Sequence, residues 1–227
     1  MKQKKLQFHP RQETIKGANA RGKIKNNLFI AGVGLIGSSL IEMVRNIGSI
    51  NICGLINSKK MIIESKDIDY KNWETDLNES LGSDFDFFID KASETPNSIF
   101  VDLTASKKIS MKTSEILARG ISVVTANKIT NSMNQEYYDE IRNSVSIGGS
   151  QFRYETNVGA GLPIIHTLKT LLSTGDKILK IEGVLSGTLS YLFSHYNGSI
   201  PFSKLVKIAK ESGFTEPDPR NDLNGLD

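Results

Sequence analysis

Three glycines spaced as Gly-x-Gly-x-x-Gly form the most informative short pattern in this chain. In such a pattern Gly32 permits a tight turn, Gly34 lets the backbone come close to a ligand, and Gly37 lets the following helix pack on the preceding strand. An apolar run precedes the pattern and a segment with helical spacing follows it. A helix that begins there presents free N–H groups and its positive dipole end to a phosphate.

The pattern therefore predicts a dinucleotide site, and a simple glycine-rich turn is the alternative. The predicted site consists of Gly32, Val33, Gly34, Leu35, Ile36 and Gly37.

The residues after the next apolar run bear on which dinucleotide would bind. Sites that select NAD usually carry an acidic residue there for the ribose hydroxyls. This chain has Asn57, Ser58, Lys59 and Lys60 instead, with no carboxylate to repel a 2′-phosphate. The two lysines favour NADP(H), with NAD(H) as a second cofactor, unless they are only solvated loop residues.

Two further polar segments, residues 102–106 and 125–128, each follow an apolar run. Both should lie at the carboxyl edge of the predicted sheet, where ligands bind in open α/β sheets. There Lys128 would pair with a substrate carboxylate or polarise a carbonyl. A surface lysine without a function is the equal alternative.

A scaffold of alternating strands and helices is needed to bring these segments to one edge. Apolar runs predict strands at residues 28–32, 50–56, 98–103 and 121–125, and helical spacing predicts helices at 38–47, 84–92, 110–119 and 135–143. Residues 61–80 are expected to form a loop or a short helix. The alternation predicts a Rossmann-like, doubly wound parallel sheet over residues 28–150.

The pattern changes after residue 150. We expect a strand at residues 151–156, a helix at 162–172, a one-face-exposed strand at 177–185 and a helix at 203–212 that Gly213 ends. These elements predict the beginning of a second, incomplete α+β domain over residues 151–227.

Charge is divided unevenly along the 227 residues. Residues 1–27 hold eight Lys or Arg and one acidic residue, whereas the remainder has a small acidic excess. This arm has few apolar residues and no helical period, which predicts a disordered, solvated segment. Because it lacks interleaved aromatic residues, we expect no nucleic-acid partner, and a nucleic-acid-binding arm is a third, weaker alternative.

Composition also excludes two classes of protein. No apolar run approaches the roughly 18 residues that a membrane-spanning helix needs, and no secretory signal peptide is recognisable. The single cysteine, Cys53, lies in an apolar run and is expected to be a small buried strand residue. A reducing, cytoplasmic compartment is the natural expectation.

Three longer stretches resemble one enzyme family when taken in order with the glycine pattern and the Thr-Ala-Asn-Lys segment at 125–128. They are residues 154–164 (YETNVGAGLPI), 183–191 (GVLSGTLSY) and 215–227 (TEPDPRNDLNGLD). The series resembles homoserine dehydrogenase over residues 28–227. The segment around the glycines is similar to the dehydrogenase half of bifunctional aspartokinase–homoserine dehydrogenases.

The resemblance implies reduction of L-aspartate 4-semialdehyde to L-homoserine with NAD(P)H, in the biosynthesis of threonine and methionine. It implies that Glu216 binds the substrate ammonium, that Asp227 positions the substrate and takes part in catalysis, and that Lys128 is an active-site lysine beside the cofactor. Thr104 would lie near the nicotinamide, and Gly213 at the junction of cofactor and substrate. A sodium or potassium site is implied at the backbone carbonyls of Glu155, Val158, Ala160 and Leu162.

The family continues beyond the position of Asp227, with a lysine shortly after it that is the expected proton donor. By that comparison we expect a C-terminally truncated chain. Relatives are homo-oligomers, and the shorter chain weakens that expectation here. Two functions stay open: the dehydrogenase itself and a non-catalytic NADP(H)-binding fragment of it.

Overall fold

The computed structural model describes residues 25–225, and its centre is a sheet whose strands follow the apolar runs of the sequence. The strands are β1 (Asn26–Ala31), β2 (Ile50–Ile56), β3 (Met61–Ile63), β4 (Ser98–Asp102), β5 (Ser122–Thr125) and β6 (Phe152–Arg153). Their order across the sheet is β3-β2-β1-β4-β5-β6. Neighbouring strands are parallel except for the pair β2 and β3, which is antiparallel.

Helices lie between the strands and cover both faces of the sheet, and in the described part of the chain four further helices follow the last strand. They are α1 (Leu35–Val44), α2 (Trp73–Glu79), α3 (Phe85–Glu94), α4 (Lys107–Ser110), α5 (Thr113–Ala118), α6 (Gln135–Gly148), α7 (Ile164–Ser173), α8 (Gly187–His195), α9 (Phe202–Glu211) and α10 (Pro219–Leu223). Short 3-10 turns occupy Lys128–Asn131 and Glu155–Asn157.

The core consists of two apolar clusters, one on each face of the sheet. Successive residues of β1 alternate between them, with Leu28 and Ile30 in one cluster and Phe29 and Ala31 in the other. This alternation is the period of two that a strand imposes on its side chains. Because both faces are covered, the parallel strands read as continuous apolar runs. The α/β fold class predicted from the sequence is confirmed.

Most predicted elements are present, with shifted ends. Strand β2 matches the prediction, and α3 begins after Asp84, whose carboxylate accepts a hydrogen bond from the N–H of Phe87 and caps the helix. Helix α1 begins at Leu35 rather than residue 38, because the last residues of the glycine pattern are themselves helical. Cys53 is buried in β2, as predicted.

The sheet departs from the prediction at both edges. Residues 61–63 form the antiparallel strand β3, where a loop or short helix was expected, so the sheet is mixed rather than wholly parallel. Strand β6 pairs with β5 and therefore extends the first sheet beyond residue 150.

The predicted strand at residues 177–185 is wrong for this structure. The segment has no regular secondary structure, and most of its apolar residues are exposed, Leu179 to 93%. A strand needs a neighbour for its N–H and C=O groups, and none of the segments within residues 25–225 pairs with this one. The alternating pattern is that of a strand, but the structure supplies no partner.

The elements after β6 pack more loosely than the sheet domain. Their one core cluster is small and consists of Leu192, Leu205 and Ala209, from α8 and α9. Helix α7 has no buried residue. No helix within the described range is long and apolar enough to cross a membrane.

Candidate active site at the carboxyl edge of the sheet

The glycine turn after β1 is shaped by two close backbone approaches. Gly32 has φ +94°, and a Cβ there would lie 2.8 Å from the carbonyl oxygen of Leu103. A Cβ at Gly37 would lie 2.1 Å from the carbonyl oxygen of Gly32. By contrast, a Cβ at Gly34 would meet no atom within 4 Å. Gly32 and Gly37 are therefore required by the fold, whereas Gly34 faces open space where a ligand can approach.

The start of α1 suits an anion. Gly34 is its N-cap residue and supplies no side-chain hydrogen bond, and no acidic residue lies in the first turn. The first N–H groups of a helix have no partner within it, so an external acceptor is needed. Leu35 and Ile36 are 77% and 58% exposed there, while Val33 packs against the core. Open N–H groups rimmed by exposed apolar side chains fit a dinucleotide.

Residues 57–60 form the tight turn between β2 and β3. The side-chain oxygen of Asn57 accepts hydrogen bonds from the N–H groups of Lys59 at 2.8 Å and Lys60 at 2.9 Å. The ammonium of Lys60 donates to the carbonyl of Ser80. Ser58 and Lys59 are exposed. Of the two lysines, Lys59 is the one whose head group is not committed to the fold.

A buried polar cluster joins the ends of β4 and β5. Asp102 is 1% exposed, and its Oδ1 accepts from the N–H of Thr104 at 2.9 Å and from the Thr104 hydroxyl at 2.7 Å. Its Oδ2 accepts from the side-chain amide of Asn127 at 3.0 Å. Burial raises the pKa of Asp102 above its ordinary value, and these hydrogen bonds act in the opposite direction.

The 3-10 turn that begins with Lys128 is capped by Asn127, whose Oδ1 accepts from the N–H of Ile129 at 3.2 Å. The ammonium of Lys128 lies 2.6 Å from Oε1 of Glu216, and both side chains are about one-third exposed, at 38% and 32%. The pair brings the end of β5 together with the segment between α9 and α10. A cation and an anion therefore lie side by side, partly exposed, at the carboxyl edge of the sheet.

The position of Glu216 is fixed by a hydrogen bond of its backbone N–H. Its N–H donates to Oδ2 of Asp222 at 2.9 Å, and Asp222 is only 2% exposed. The hydroxyl of Thr188 lies 2.6 Å from Oδ1 of the same carboxylate. Asp222 and Thr188 thus orient the loop that presents Glu216.

Gly213 ends helix α9. It has φ +76°, its N–H bonds to the carbonyl of Lys210, and the N–H of Phe214 bonds to the carbonyl of Ala209. These two bonds make a Schellman motif, which favours glycine at this position. A role for Gly213 at the cofactor remains a prediction. Asp227, the second predicted substrate carboxylate, lies outside the described residues.

The predicted cation ligands lie in a turn after β6. Gly159 and Ala160 have φ +71° and +50°, and the latter is unusual for a residue with a side chain. The carbonyl of Glu155 accepts from the N–H of Val158 at 3.5 Å, and that of Leu162 accepts from the N–H of Ile164 at 2.9 Å. Among the backbone hydrogen bonds of the described residues, none uses the carbonyls of Val158 or Ala160.

The Glu155 side chain has another role. Its carboxylate accepts from the N–H of His166 at 3.1 and 3.0 Å, in the first turn of α7. The ammonium of Lys169 also lies 4.4 Å from the ring centre of Tyr154. These contacts attach an otherwise exposed helix to the end of the sheet. Among residues 25–225, no group of three or more His, Cys, Asp or Glu side chains could hold a metal.

A cavity of about 510 Å³ lies at the opposite edge of the sheet, among residues that include Asn26, Ser98, Ser122 and Gln151. These residues begin or precede the strands. The glycine turn, Thr104 and Lys128 all follow strand ends, so the cavity belongs to the other edge. We place the candidate site at the carboxyl edge despite the size of this cavity, because the chemically functional groups converge there.

Two family models cover most of the chain. Residues 32–155 match the model described as homoserine dehydrogenase, NAD binding domain, and residues 163–227 match the model described as homoserine dehydrogenase. The chain belongs to the homoserine dehydrogenase family. The resemblance seen in the sequence motifs is thereby confirmed.

Individual members of the homoserine dehydrogenase family are also similar to this chain. A bifunctional aspartokinase/homoserine dehydrogenase of Haemophilus influenzae is 38% identical over 213 residues, which are 88% of this chain and 26% of that protein. A homoserine dehydrogenase of Schizosaccharomyces pombe is 38% identical over 220 residues, which are 88% of this chain and 58% of that protein. The chain thus spans between a quarter and three-fifths of these relatives.

A solved structure extends the comparison to the fold. A hyperthermophilic archaeal homoserine dehydrogenase in complex with NADPH superposes with a TM-score of 0.71 at 26% identity, covering 89% of this chain and 66% of that one. The sheet of the present structure is therefore the nicotinamide-dinucleotide-binding fold of the homoserine dehydrogenases.

Some of the predicted site residues of this homoserine dehydrogenase family member lie close together in the structure. The glycine turn packs against the Leu103 backbone and the Thr104 methyl group, and Lys128 pairs with Glu216. Sequence reasoning gave no role to Asp102, Asn127 or Asp222, although all three lie inside the motifs that it used. Their residue types could have indicated this network, because carboxylates and amides beside buried strand ends must find hydrogen-bond partners.

Proposed function

We propose that the protein is a homoserine dehydrogenase, which reduces L-aspartate 4-semialdehyde to L-homoserine with a nicotinamide cofactor. The observation that carries the proposal is the 2.6 Å contact between Lys128 and Glu216 at the sheet edge that also bears the glycine turn. The contact supports the proposal because a zwitterionic substrate with a reactive carbonyl requires both a cation and an anion near it. Family membership supports the same reaction.

Each side chain has a role that follows from its charge. The carboxylate of Glu216 accepts hydrogen bonds from the substrate ammonium. Bound NADPH would supply the hydride and become NADP⁺. As the new C–H bond forms, the π electrons of the aldehyde move to its oxygen, which then takes a proton. The ammonium of Lys128 stabilises that developing charge and can donate the proton.

The features at the end of β2 support NADP(H) over NAD(H). The turn of residues 57–60 has no carboxylate, and its exposed lysine is Lys59. A 2′-phosphate would gain a charge-assisted hydrogen bond from that ammonium. The archaeal relative in the comparison was solved with NADPH. We therefore propose NADP(H) as the preferred cofactor, with weaker use of NAD(H).

A monovalent cation, sodium or potassium, is proposed at the turn after β6. The carbonyls of Val158 and Ala160 accept no hydrogen bond from the described residues, while those of Glu155 and Leu162 already accept one each. The donor set fits a hard cation in part, since oxygen is its preferred ligand. Assembly into a homo-oligomer and a cytoplasmic location remain predictions from the sequence.

The direct test is the oxidation of NADPH, followed by its absorbance, on addition of L-aspartate 4-semialdehyde to the purified chain. Turnover that is saturable in the semialdehyde is the expected result. A parallel titration with sodium chloride and potassium chloride, against a chloride of a large organic cation, tests the cation site. Absence of turnover together with absence of NADPH binding would contradict the proposed function.

A second function, NADP(H) binding without turnover, is favoured by one observation. The elements after β6 have a small core, and residues 177–185 are exposed without a neighbouring strand in the described structure. Such a region would hold Glu216 less firmly than the sheet holds the glycine turn. NADPH binding by fluorescence with no oxidation on addition of substrate would identify this second function.

A further inference from the structure

The buried carboxylate of Asp102 connects features of the site that are separate in sequence. One oxygen accepts from Thr104, which follows the strand that Asp102 ends, β4. The other accepts from Asn127, which follows the neighbouring strand, β5. A carboxylate that is 1% exposed and accepts three hydrogen bonds holds its partners in one arrangement. It lies at the edge where the ligand is expected, yet it has almost no surface of its own.

Counting donors and acceptors defines what the Thr104 hydroxyl can do. It donates its single hydrogen to Asp102 at 2.7 Å. It accepts from the N–H of Ser106 at 3.1 Å and from the amide of Asn127 at 3.4 Å. Since a hydroxyl has one hydrogen and two lone pairs, the hydroxyl is fully used. Thr104 thus faces a ligand through its methyl group and backbone, and its orientation depends on Asp102.

Asn127 transmits the same constraint to the lysine. The two hydrogens of its amide group lie near three acceptors, Asp102 at 3.0 Å, the carbonyl of Ser106 at 3.2 Å and the Thr104 hydroxyl at 3.4 Å, so one hydrogen is shared. Its oxygen then necessarily points to the N–H of Ile129, at 3.2 Å, and caps the turn that begins with Lys128. The side chain of Asn127 has one orientation that satisfies all of these contacts.

We propose that Asp102 is a positioning residue of the site, which fixes Thr104 directly and Lys128 through the Asn127 cap. This inference rests on the proposed function and adds a residue to it. Asp102 does not touch the substrate. It sets the orientation of the groups that do.

The substitution Asp102→Asn tests the proposal because it changes the polarity of one group and almost none of its shape. If the new amide NH₂ faces Asn127, two donors meet. If Asn127 turns over to present its oxygen, its own NH₂ is brought against the N–H of Ile129, and the cap of the Lys128 turn is lost. If instead the new NH₂ faces Thr104, it meets the N–H of that residue, which loses its acceptor. Each orientation therefore disturbs either Thr104 or the turn that begins with Lys128.

Ser98→Ala is the matched control. Ser98 begins the strand that Asp102 ends, is 8% exposed, and donates to the carbonyls of Ala92 and Thr95 at 2.6 Å. Its loss removes a buried hydrogen-bonding group from the same strand at the opposite edge. Both variants should lower the melting temperature, so a change in stability does not distinguish them.

Catalysis and the nicotinamide environment do distinguish them. For Asp102→Asn we expect kcat to fall about 10- to 100-fold, as misplacement of reacting groups does, with the Kd for NADPH within about threefold because the phosphates bind at the glycine turn. At saturation, the fluorescence of bound NADPH should differ from that of the wild type. Ser98→Ala should leave kcat and this fluorescence unchanged. The double variant Asp102→Asn/Asn127→Asp, which restores a donor–acceptor pair, should recover part of kcat.

The outcomes separate this inference from the function on which it rests. If the wild-type chain binds no NADPH, the proposed function fails and takes the inference with it. If the wild type binds NADPH but turns nothing over, the inference is judged from the fluorescence of bound NADPH alone. A difference between Asp102→Asn and the wild type supports it, and equal fluorescence overturns it. If Asp102→Asn keeps the wild-type kcat and fluorescence while only its melting temperature falls, Asp102 is structural and the inference is overturned.

Discussion

The ammonium of Lys128 lies 2.6 Å from the carboxylate of Glu216, a residue 88 positions further along the chain. Under the proposed function this carboxylate also receives the substrate ammonium, so the lysine lies against the group that the substrate would need. A substrate must share Glu216 with Lys128 or move the lysine away from it. Movement would direct the lysine to another part of the substrate, and the aldehyde oxygen is the group that gains charge during reduction.

Glu216→Gln should therefore damage substrate use more than it damages the fold. The amide keeps the size of the side chain but loses the charge that holds an ammonium. We expect the KM for L-aspartate 4-semialdehyde to rise about 10- to 100-fold, the magnitude of a lost hydrogen bond to a charged group. The melting temperature should change little, since partly exposed ion pairs contribute at most about 1 kcal/mol. Steady-state kinetics and a thermal melt measure the two effects.

Glu211→Gln is a suitable control for that experiment. Glu211 lies at the end of α9 and pairs with Lys207 at 3.9 Å, with both side chains well exposed. Its replacement removes the same charge from the same chain without touching the site, so KM should not change. An equal rise of KM in both variants would show that net charge, and not a contact at Glu216, governs substrate use.

The sheet domain could be predicted from sequence more fully than the region after it. Strands such as β2 are buried on both faces, so their apolar runs are continuous and reveal them directly. Strand β3 was missed because Met61, Ile62 and Ile63 are only partly buried at the sheet edge, and three residues give little pattern. Residues 177–185 have the alternation of a strand, yet pairing depends on a neighbour that the local pattern cannot reveal.

The candidate site shows a similar division. The glycine turn could be predicted because the backbone conformation of Gly32 and the close packing of Gly37 both require glycine. The contact between Lys128 and Glu216 is long-range, and only the family resemblance suggested that both belong to one site. The network around Asp102 was not predicted because its members are ordinary polar residues whose importance lies in their burial.

Lys59→Glu should change the choice of cofactor. The exposed ammonium at the tip of the β2–β3 turn would be replaced by a carboxylate, which repels a 2′-phosphate and can accept from ribose hydroxyls. The Kd for NADPH should increase by about tenfold or more, as loss of one charge-assisted hydrogen bond implies, and the Kd for NADH should stay the same or decrease. Fluorescence titration of both cofactors gives the ratio.

Lys60→Glu is the comparison for that change. Lys60 donates to the carbonyl of Ser80 and is less exposed than Lys59, so its replacement should lower stability with less effect on cofactor choice. Should Lys59→Glu weaken NADPH and NADH equally, the turn of residues 57–60 does not select between them.

Cys53 should react slowly with disulfide reagents while the protein is folded. Burial, with a contribution from Asp67, raises the pKa of its thiol from 9.0 to about 11, and its Sγ lies 2.6 Å from the carbonyl of Lys66. Because only the thiolate reacts, a pKa of about 11 instead of 9.0 lowers the reactive fraction about a hundredfold near neutral pH. Rates measured with and without denaturant should differ by at least that factor, and equal rates would refute the prediction.

The same shift has a consequence for stability at high pH. The unfolded thiol loses its proton near pH 9, whereas the folded one keeps it to about pH 11. Since the folded state binds more protons in this interval, stability must fall as pH rises through it. Cys53→Ala should lose less stability between pH 9 and pH 11 than the wild type, although the cavity makes it less stable at pH 7. Urea denaturation at the three pH values measures the difference.

Gly34→Ala and Gly37→Ala should separate ligand binding from folding within one motif. A Cβ at Gly34 meets no atom within 4 Å, so this variant should fold with nearly the wild-type melting temperature. The added methyl group would occupy the open approach to the N-terminus of α1, and the Kd for NADPH should increase at least about tenfold. A Cβ at Gly37 would lie 2.1 Å from the carbonyl oxygen of Gly32, so that variant must displace α1 and lose stability. Thermal melts with and without NADPH measure both effects, and unchanged NADPH affinity in a folded Gly34→Ala protein would place the pyrophosphate elsewhere.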